Sequence, residues 1–471
     1  MSDVSGCWPG NFFCVYYWGS GRKMQNTANS IVWTVNVNND LNHANFQRRA
    51  ALKALTSVGL LAATALPALA QFRVEVSGVG LTQLPIGLPL FAGEAQAPQK
   101  ISAIVRADLE RSGMFRSVDA AGVSADENTR LDTGLWRQRG ADSVAVGSVT
   151  ALADGRFDVR VRLWDVVRSQ DLGGQSHVVS AGELRLAAHR VADFVHEKLT
   201  GEKGAFATRI AYVTKSAQRF NLWVADSDGE NAQPALTSPE PIISPSWSPS
   251  GVQLAYVSFE SRKPVIYSHD VATGKRRLLA NFKGSNSAPT WSPDGRQLVA
   301  TLSRDGGSQL FAIDVNGGEP RRLTQSSSID TEPIYSADGK NIYFVSDRGG
   351  APQIYKMPPS GSSPQRVTFT GTYNISPALS NDGRWMAYIS RVGGAFKLHL
   401  MDLSSGATTA LTDTSADENP SFAPNSRLIV YATQHQGREA LMTSTLDGKV
   451  KARLTGSTGD IREPDWGPFS R

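Results

Sequence analysis

Cysteine is almost absent from this chain. Of its 471 residues only Cys7 and Cys14 are cysteines, and both lie close to the amino terminus. The residues after position 70 can therefore form neither a disulfide bond nor a thiolate metal site. Because such a chain is compatible with reducing and with oxidising compartments, its cysteine content alone does not assign a cellular location.

A large excess of one charge is also lacking. The formal net charge is +5. Part of it belongs to the first 70 residues, where five basic residues stand against two acidic ones: Arg22, Lys23, Arg48, Arg49 and Lys53 against Asp3 and Asp40. The rest of the chain is nearly balanced in charge, so it offers no electrostatic basis for binding nucleic acid.

The motifs of common enzyme classes are missing as well. No Gly-x-Ser-x-Gly nucleophile elbow and no glycine-rich nucleotide loop occurs. His189 and His196 lie seven positions apart on a predicted helix, and we interpret them as part of a solvated helix face. Asp226-x-Asp228-Gly229 resembles the start of a calcium loop, but further ligand positions are missing, which indicates an ordinary turn. We predict no catalytic residue, no metal and no other cofactor.

A long apolar run occurs before position 70. Residues 46–70 read FQRRAALKALTSVGLLAATALPALA, a basic start followed by an uncharged stretch from Ala54 to Leu69. A spanning helix needs about 20 apolar residues, and Ala68 and Ala70 are the small residues that a signal peptidase reads. The pattern therefore predicts a signal peptide cleaved after Ala70. An uncleaved anchor is the alternative, and a cleaved chain would have no membrane span.

The export route and the first residues stay open. Arg48-Arg49, followed by Leu52-Lys53, partly matches a twin-arginine signal, although Ala51 stands where that motif usually has Phe. The general secretory route fits equally well. Residues 1–45 show no clear periodicity and receive no fold, so 1–70 is treated as leader and signal peptide.

Residues 71–203 mix strand and helix patterns. Phe72, Val74 and Val76 alternate with polar residues at the period of a strand. Apolar residues recur at helical spacing in 98–112 and in 184–199. A hairpin is predicted from 141–150 and 156–167, turned at 153–155, and an apolar strand from 84–91. These patterns predict a small α/β domain that ends at the Gly-Glu-Lys-Gly stretch of residues 201–204.

Residues 204–471 repeat every 43 or 44 positions. Each unit opens on a proline, has an aromatic or apolar residue two positions later, and continues through a tight turn into an alternating apolar strand. The prolines are Pro245, Pro289, Pro333, Pro377, Pro420 and Pro464. Four short strands in roughly 44 residues are typical of one propeller blade. The repeats therefore predict an all-β six-bladed propeller after the α/β domain.

The two ends of the repeat array predict how the ring closes. The first unit has Ile210 and Tyr212 of an early strand but no Pro-x-Trp strand before them. The last unit has Pro464-Asp465-Trp466 with no further strands after it. Pairing of the last strand with the first unit would complete one blade and remove two exposed sheet edges. The Trp and turn residues of each unit are then scaffold.

The residues just before each proline differ between units. We interpret them as loops that surround one mouth of the propeller channel. Six carboxylates lie in or next to them and predict a partly acidic mouth: Asp330, Glu332, Asp417, Glu418, Asp460 and Glu463. Ordinary hydrated loops are one interpretation of this pattern, and a docking face for a protein is the other.

An exported α/β domain followed by six such blades resembles the TolB family, the periplasmic propeller proteins of the Tol-Pal system. The resemblance covers 71–471, and its more specific parts are "PIISPSWSPSGVQLAYVSFESR", "APTWSPDGRQLVATLSRDGG", "DTEPIYSADGKNIYFVSDRGGAPQIYKM" and "KARLTGSTGDIREPDW". The leader departs from the family pattern, because family signals are usually shorter and start at the first residue.

The resemblance implies a non-enzymatic periplasmic adaptor. Its amino-terminal arm would bind the C-terminal domain of TolA, its propeller mouth would bind the lipoprotein Pal, and the system would support outer-membrane integrity and constriction at cell division. Other outer-membrane lipoproteins are further candidate partners. The arm residues are Phe72, Arg73, Val74, Glu75, Val76 and Ser77. The resemblance implies Ser285, Ala288 and Thr331 as Pal-contact residues, and Ser285 stands where the best-known relatives have His. To these mouth residues the acidic pattern before the prolines adds Glu332, Asp417 and Glu418.

Two alternatives remain open. The propeller could belong to a hydrolase or sugar-binding protein that lacks its catalytic domain, since prolyl-oligopeptidase-like hydrolases carry similar repeats. The arm could also be an edge strand of the α/β domain instead of a segment free to join a partner's sheet.

Overall fold

The computed structural model describes residues 74–76, 83–216, 219–454 and 460–469. The leader and its expected cleavage site lie outside the described residues, as do Phe72, Arg73 and Ser77 of the arm. The first described strand is β1 (Val74–Val76).

The α/β domain has a five-stranded mixed sheet covered by helices. Its strands and helices are β2 (Leu84–Gly87), β3 (Leu90–Phe91), α1 (Ile101–Arg111), β4 (Phe115–Val118), β5 (Ser124–Ala125), α2 (Thr133–Gln138), β6 (Ser143–Ala151), β7 (Phe157–Asp165), β8 (Gln170–Val179) and α3 (Leu184–Thr200). The sheet order is β4-β2-β6-β7-β8, with β2 parallel to β4 and β6, and β6, β7 and β8 antiparallel. The predicted hairpin and both predicted helices are confirmed, whereas the strand expected over 84–91 is divided into β2 and β3.

Helix α1 packs on α3 because each has one apolar face. Ile101, Val105 and Leu109 follow one another at four-residue spacing and are fully buried. They join Val191 and Val195 of α3 in the core of the domain. Helix α3 ends at Thr200. The next residue, Gly201, has φ of 76° and donates its N–H to the carbonyl of Glu197.

The remaining strands form six four-stranded antiparallel sheets, as the repeats predicted. Blade 1 contains β9 (Arg209–Ser216), β10 (Arg219–Asp226) and β11 (Gln233–Ser238), and blade 2 contains β12 (Ile242–Trp247), β13 (Gln253–Ser258), β14 (Val265–Asp270) and β15 (Arg276–Ala280). Blade 3 contains β16 (Asn286–Trp291), β17 (Gln297–Leu302), β18 (Gln309–Asp314) and β19 (Arg321–Arg322), and blade 4 contains β20 (Asp330–Tyr335), β21 (Ile342–Ser346), β22 (Gln353–Met357) and β23 (Gln365–Arg366). Blade 5 contains β24 (Asn374–Leu379), β25 (Trp385–Val392), β26 (Ala395–Asp402) and β27 (Thr408–Ala410), and blade 6 contains β28 (Glu418–Phe422), β29 (Leu428–His435), β30 (Arg438–Thr445) and β31 (Val450–Arg453).

The predicted ring closure is confirmed. The last described strand, β32 (Asp460–Trp466), pairs with β9 and gives blade 1 its fourth strand. Trp466 lies opposite Ile210, and the Trp466 indole donates to the Thr208 hydroxyl at 2.9 Å. The aromatic positions are scaffold, as expected: the buried Trp291 indole donates to the Ser246 carbonyl of the preceding blade at 3.1 Å.

The residues before the six prolines were predicted to be loops, and this prediction is wrong. They lie inside the innermost strands, each at a β-bulge where the strand register shifts. In all six units the residue before the proline has a positive φ, between 41° and 52°: Ser244, Ala288, Glu332, Ser376, Asn419 and Glu463. The bulge bends every inner strand at the same height of the channel.

The two ends of the propeller differ in what they carry. Antiparallel order places the links between blades, such as 281–285 and 367–373, at the end where the inner strands begin; we call this end the mouth face. The turns that join the first two and the last two strands of a blade lie at the opposite end. The α/β domain contacts that opposite end: Arg427, in a turn of blade 6, pairs with Glu202, and Asn425 donates to the Lys203 carbonyl at 3.2 Å.

Candidate interaction surfaces

The predicted Pal-contact residues Ser285, Ala288 and Thr331 lie close to the start of the inner strands of blades 3 and 4. Ser285 is buried in the link before β16, and its N–H donates to the Ser303 hydroxyl at 2.8 Å. Ala288 occupies the bulge of β16. Thr331 is buried in β20 and accepts a hydrogen bond from Thr301 of the neighbouring blade. The side chains of Ser285 and Thr331 thus have little exposed surface for a partner.

The expectation that Asp330 and Asp417 make the mouth acidic is wrong. Both carboxylates are fully buried. Asp330 pairs with Arg348 at 2.7 Å and accepts from the Ser326 hydroxyl. Asp417 accepts from three threonine hydroxyls and one backbone N–H, those of Thr412, Thr414, Thr433 and Leu398. Both carboxylates therefore have their partners inside the blades, where they connect the links between blades to the strands.

Glu332 and Glu463 line the channel and reach from one blade to the next. Glu332 accepts a hydrogen bond from the N–H of Ser376 at 2.7 Å, and Glu463 accepts one from the N–H of Ser244. Each glutamate side chain thereby accepts from the backbone N–H of the bulge residue in the following blade. Burial, opposed by these N–H donors, raises the pKa of each of the two carboxyls to about 7.

Glu418 is the third carboxyl at this level. It begins β28 and is only 8% exposed. Burial raises the pKa of Glu418 to about 8, against the opposing charge of Arg462 and with the repulsion of Glu463. The predicted mouth acids Glu332 and Glu418 therefore belong to the inner wall of the channel, and not to hydrated loops.

The described part of the arm pairs with the propeller. Strand β1 runs antiparallel to β31 and extends blade 6 to five strands, with Val74 opposite Ala452, Glu75 opposite Lys451 and Val76 opposite Val450. The alternative that these residues form an edge strand of the α/β domain is not what the structure has. Among the described residues, three pairs join this strand to the outer edge of blade 6.

A buried ionic network joins the α/β domain to blade 1. His189 of α3 contacts Asp108 of α1 through Nδ1 at 2.6 Å, and its Nε2 lies 3.7 Å from Asp226 and 3.8 Å from Asp228. Arg185 pairs with both of these propeller carboxylates, and Arg111 pairs with Asp108 at 2.9 Å. The Asp226 turn, correctly predicted as a turn, is therefore also a docking point between domains.

The interpretation of His189 and His196 as a solvated face is wrong, since both are almost fully buried. Burial alone would lower the pKa of His189, but Asp108, Asp226 and Asp228 outweigh it and raise that pKa to about 10. Burial lowers the pKa of His196, whose Nδ1 faces the Glu202 carbonyl. The His189 imidazole is thus a cation between the α/β domain and blade 1, and the His196 imidazole is neutral.

Asp108, His189 and Asp228 are also the one group in the described ranges whose spacing could suit a metal ion. Arg111 and Arg185 already pair with these carboxylates. Two guanidiniums and one imidazole thus already contact the three carboxylates of this network.

Sequence reasoning missed one conspicuous surface residue. Phe369, in the link between blades 4 and 5, is 75% exposed. The signal was present in the repeats: the residue after the apolar-threonine pair that ends a unit is Ser238, Gln325 or Asp413 in other blades, and phenylalanine in this one.

Two family descriptions match this chain in succession. The TolB amino-terminal domain matches residues 72–172, and the TolB beta propeller domain matches residues 196–470. The chain belongs to the TolB family. It is 84% identical to the Tol-Pal system protein TolB of Polaromonas sp. (strain JS666) over 88% of this chain and 98% of that protein. It is 63% identical to the protein of the same name from Dechloromonas aromatica, over 85% and 94%.

A solved TolB structure has the same fold. The crystal structure of TolB from Acinetobacter baumannii is 37% identical and superposes with a TM-score of 0.77, covering 85% of this chain and 100% of that one. As a TolB-family protein, the chain is a component of the Tol-Pal system of the cell envelope. No helix in the described ranges is long and apolar enough to cross a membrane.

Proposed function

We propose that this TolB-family protein is a periplasmic adaptor that binds the C-terminal domain of TolA through residues 72–77 and the lipoprotein Pal at its mouth face. Cleavage after Ala70 would release it into the periplasm with the arm at its amino terminus. Linking an inner-membrane protein to an outer-membrane lipoprotein, it would support outer-membrane integrity and constriction at cell division. It would act without catalysis.

The observation that carries this proposal is the position of β1. The described residues of β1 pair only with the outermost strand of blade 6, so the strand can leave without breaking the four-stranded sheet of that blade. The backbone groups that pair with β31 are the same groups that would pair with the edge of a partner's sheet. Docking on blade 6 and binding to a partner are then mutually exclusive states of one segment.

The second support is the separation of the two surfaces. The α/β domain contacts the turns opposite the mouth face, through pairs such as Arg427 with Glu202. These contacts of the described α/β domain lie at the end of the propeller opposite the mouth face, which supports a separate binding surface there. The family match over both parts of the chain favours this adaptor over the alternative of a hydrolase or sugar-binding propeller.

The test uses the chain from Gln71 onward and the same chain without residues 71–79. Binding of the C-terminal domain of TolA and of Pal without its lipid anchor is measured by calorimetry. We expect the shortened chain to lose TolA binding, to keep Pal binding and to have nearly the same melting temperature. Full TolA binding by the shortened chain would contradict the role of the arm, and failure of the longer chain to bind Pal would contradict the role of the mouth face.

A further inference from the structure

Phe369 lies where a partner at the mouth face would meet it. The link 367–373 joins β23 to β24, and such links all lie at the end of the propeller where the inner strands begin. Ser285 lies in the corresponding link before blade 3. At 75% exposed, Phe369 presents more of its surface than any other large hydrophobic side chain in the described residues. Its ring contributes little to the core and is displayed to solvent.

The residues around Phe369 are held rigidly by buried amides. The Thr368 hydroxyl donates to Gln353 Oε1 at 2.7 Å, and the Asn374 amide donates to the same oxygen at 2.8 Å and to the Thr370 carbonyl at 2.9 Å. Thr368, Gln353 and Asn374 are all buried. Both sides of the link are therefore anchored to the blade, so the exposed position of the ring is built into the fold.

A cation accompanies the ring. The guanidinium carbon of Arg366 lies 5.4 Å from the centre of the Phe369 ring. Arg366 Nε donates to the Thr368 carbonyl at 2.6 Å, which holds the guanidinium beside the ring. Within the described ranges no carboxylate forms an ion pair with Arg366. The pair thus presents an apolar surface next to a positive charge that is available to a partner.

A second exposed apolar side chain lies at the same end of the propeller. Val392, at the hairpin between β25 and β26, is 47% exposed. The hairpin is tied to the link because the Arg391 N–H donates to the Tyr373 carbonyl at 2.9 Å, and the Tyr373 and Phe396 rings pack edge to face. Phenylalanine occurs here in one unit of the repeat, while three other units have Ser238, Gln325 or Asp413, so the scaffold does not require it.

We propose that Phe369, with Arg366 beside it, is the anchor for the protein partner that docks at the mouth face. The partner would offer an apolar recess for the ring, bordered by a carboxylate that pairs with Arg366. Aromatic side chains and arginines are enriched in protein interfaces, and arginine is frequent among their hot spots. Because Arg366 is already held beside the ring, less side-chain entropy is lost when the pair is buried. This inference rests on the proposed function, since it names the site at which Pal is held.

The experiment measures binding of Pal without its lipid anchor to the chain from Gln71 onward. Phe369→Ala should weaken binding about 30-fold or more, the range of an interface hot spot. Phe369→Leu should retain part of the affinity, and Arg366→Gln should weaken binding and reduce its dependence on salt. The matched control is Leu278→Ala, a 46% exposed residue on the outer strand β15 of blade 2, which should bind normally. All variants should melt like the parent chain.

Three results would overturn the proposal. If Phe369→Ala binds Pal as tightly as the parent does, Phe369 is not the anchor, but the proposed function stands. If the parent itself does not bind Pal, the anchor and the proposed function are both wrong. Binding of the parent, dependent on Phe369, to anionic lipid vesicles but not to Pal would assign the ring to a membrane surface instead of a protein.

Discussion

The carboxylate of Asp465 accepts a hydrogen bond from the backbone N–H of Trp247 at 2.7 Å, although 218 residues separate them in sequence. The contact crosses the seam at which the last strand closes the ring. One blade earlier the same position is Ser421, whose hydroxyl accepts from the N–H of Trp466 at 2.9 Å. A carboxylate in the closing blade and a hydroxyl in its neighbour thus accept from equivalent backbone N–H groups, those of Trp247 and Trp466.

This equivalence predicts the effect of two substitutions at Asp465. Asp465→Ala leaves the Trp247 N–H without a partner and should lower the free energy of unfolding by roughly 1–3 kcal/mol. Asp465→Ser keeps a hydroxyl acceptor of the kind that Ser421 provides and should lose clearly less. Urea unfolding of both variants measures the difference, and equal losses would show that the side-chain acceptor is unimportant.

The pKa of Glu418, raised to about 8 by burial, predicts a pH-dependent stability. A raised pKa means that the folded state holds the proton more tightly than the unfolded state does. The contribution is therefore complete below about pH 4.5 and is lost as the pH rises towards 8. The free energy of unfolding of Glu418→Gln should equal that of the parent near pH 5. At pH 8 it should exceed that of the parent by roughly 1–3 kcal/mol.

The control for this experiment is Asp338→Asn. A hydrogen bond from Ser336 lowers the pKa of Asp338 in an exposed turn, so its carboxyl is ionised throughout the range from pH 5 to pH 8. The control should shift stability equally at both pH values. A constant offset between Glu418→Gln and the parent across this range would contradict the burial of an acid in the channel wall.

His189 should contribute to stability as a cation. Because its pKa is raised to about 10, its contribution is complete below pH 6.5 and disappears as the pH rises through 10. His189→Gln breaks a buried ionic network and should cost roughly 3–5 kcal/mol at pH 7.5. The cost should be smaller at pH 9.5, where the parent itself has begun to lose the proton.

His196→Gln is the matched control, since His196 is equally buried but has a lowered pKa. Its cost should be the same at pH 7.5 and pH 9.5. Urea unfolding at the two pH values measures both variants. If the loss of unfolding free energy in His189→Gln were independent of pH, the His189 imidazole would be neutral between the α/β domain and blade 1.

Gly113 tests the contact between the α/β domain and blade 6. It has φ of 75°, and a Cβ atom there would lie 2.8 Å from Thr445 Cγ2 and 3.2 Å from Val450 Cγ2. Gly122 has φ of 73°, but a Cβ atom there would meet nothing within 4 Å. Gly113→Ala should therefore lose on the order of 1–2 kcal/mol more unfolding free energy than Gly122→Ala. Equal losses would mean that this contact does not constrain the two domains.

The propeller could be predicted from the sequence because its signals are local and repeated. The spacing from Pro245 to Pro464 set the number of blades, and the incomplete ends of the array indicated the pairing of β32 with β9. Helices α1 and α3 and the hairpin of the α/β domain followed from periodicity in the same way, whereas the short helix α2 was not predicted. The blades, the helices and the hairpin depend on residues that are near one another in the chain, whereas the ring closure followed from comparing the two incomplete ends of the repeat array.

The features that sequence reasoning missed depend on residues that meet only in the fold. Alternation cannot show that Glu332 lies at a bulge inside a strand, because a proline after it is equally typical of a loop. The burial of His189 requires the Asp226 turn of a different domain to cover it. The pairing of β1 with β31 joins two edges nearly 380 positions apart, which no periodicity could reveal.

Ring closure also dictates the order in which this protein can fold. Strand β9 starts at Arg209, but its inner neighbour β32 begins at Asp460, so blade 1 must wait while the whole intervening chain emerges. Contacts between such distant segments form late and slowly. Until then the edge of β9 is open, and an open strand edge invites aggregation. The exposed edge of β9 is therefore covered only when the last dozen residues of the chain join the sheet.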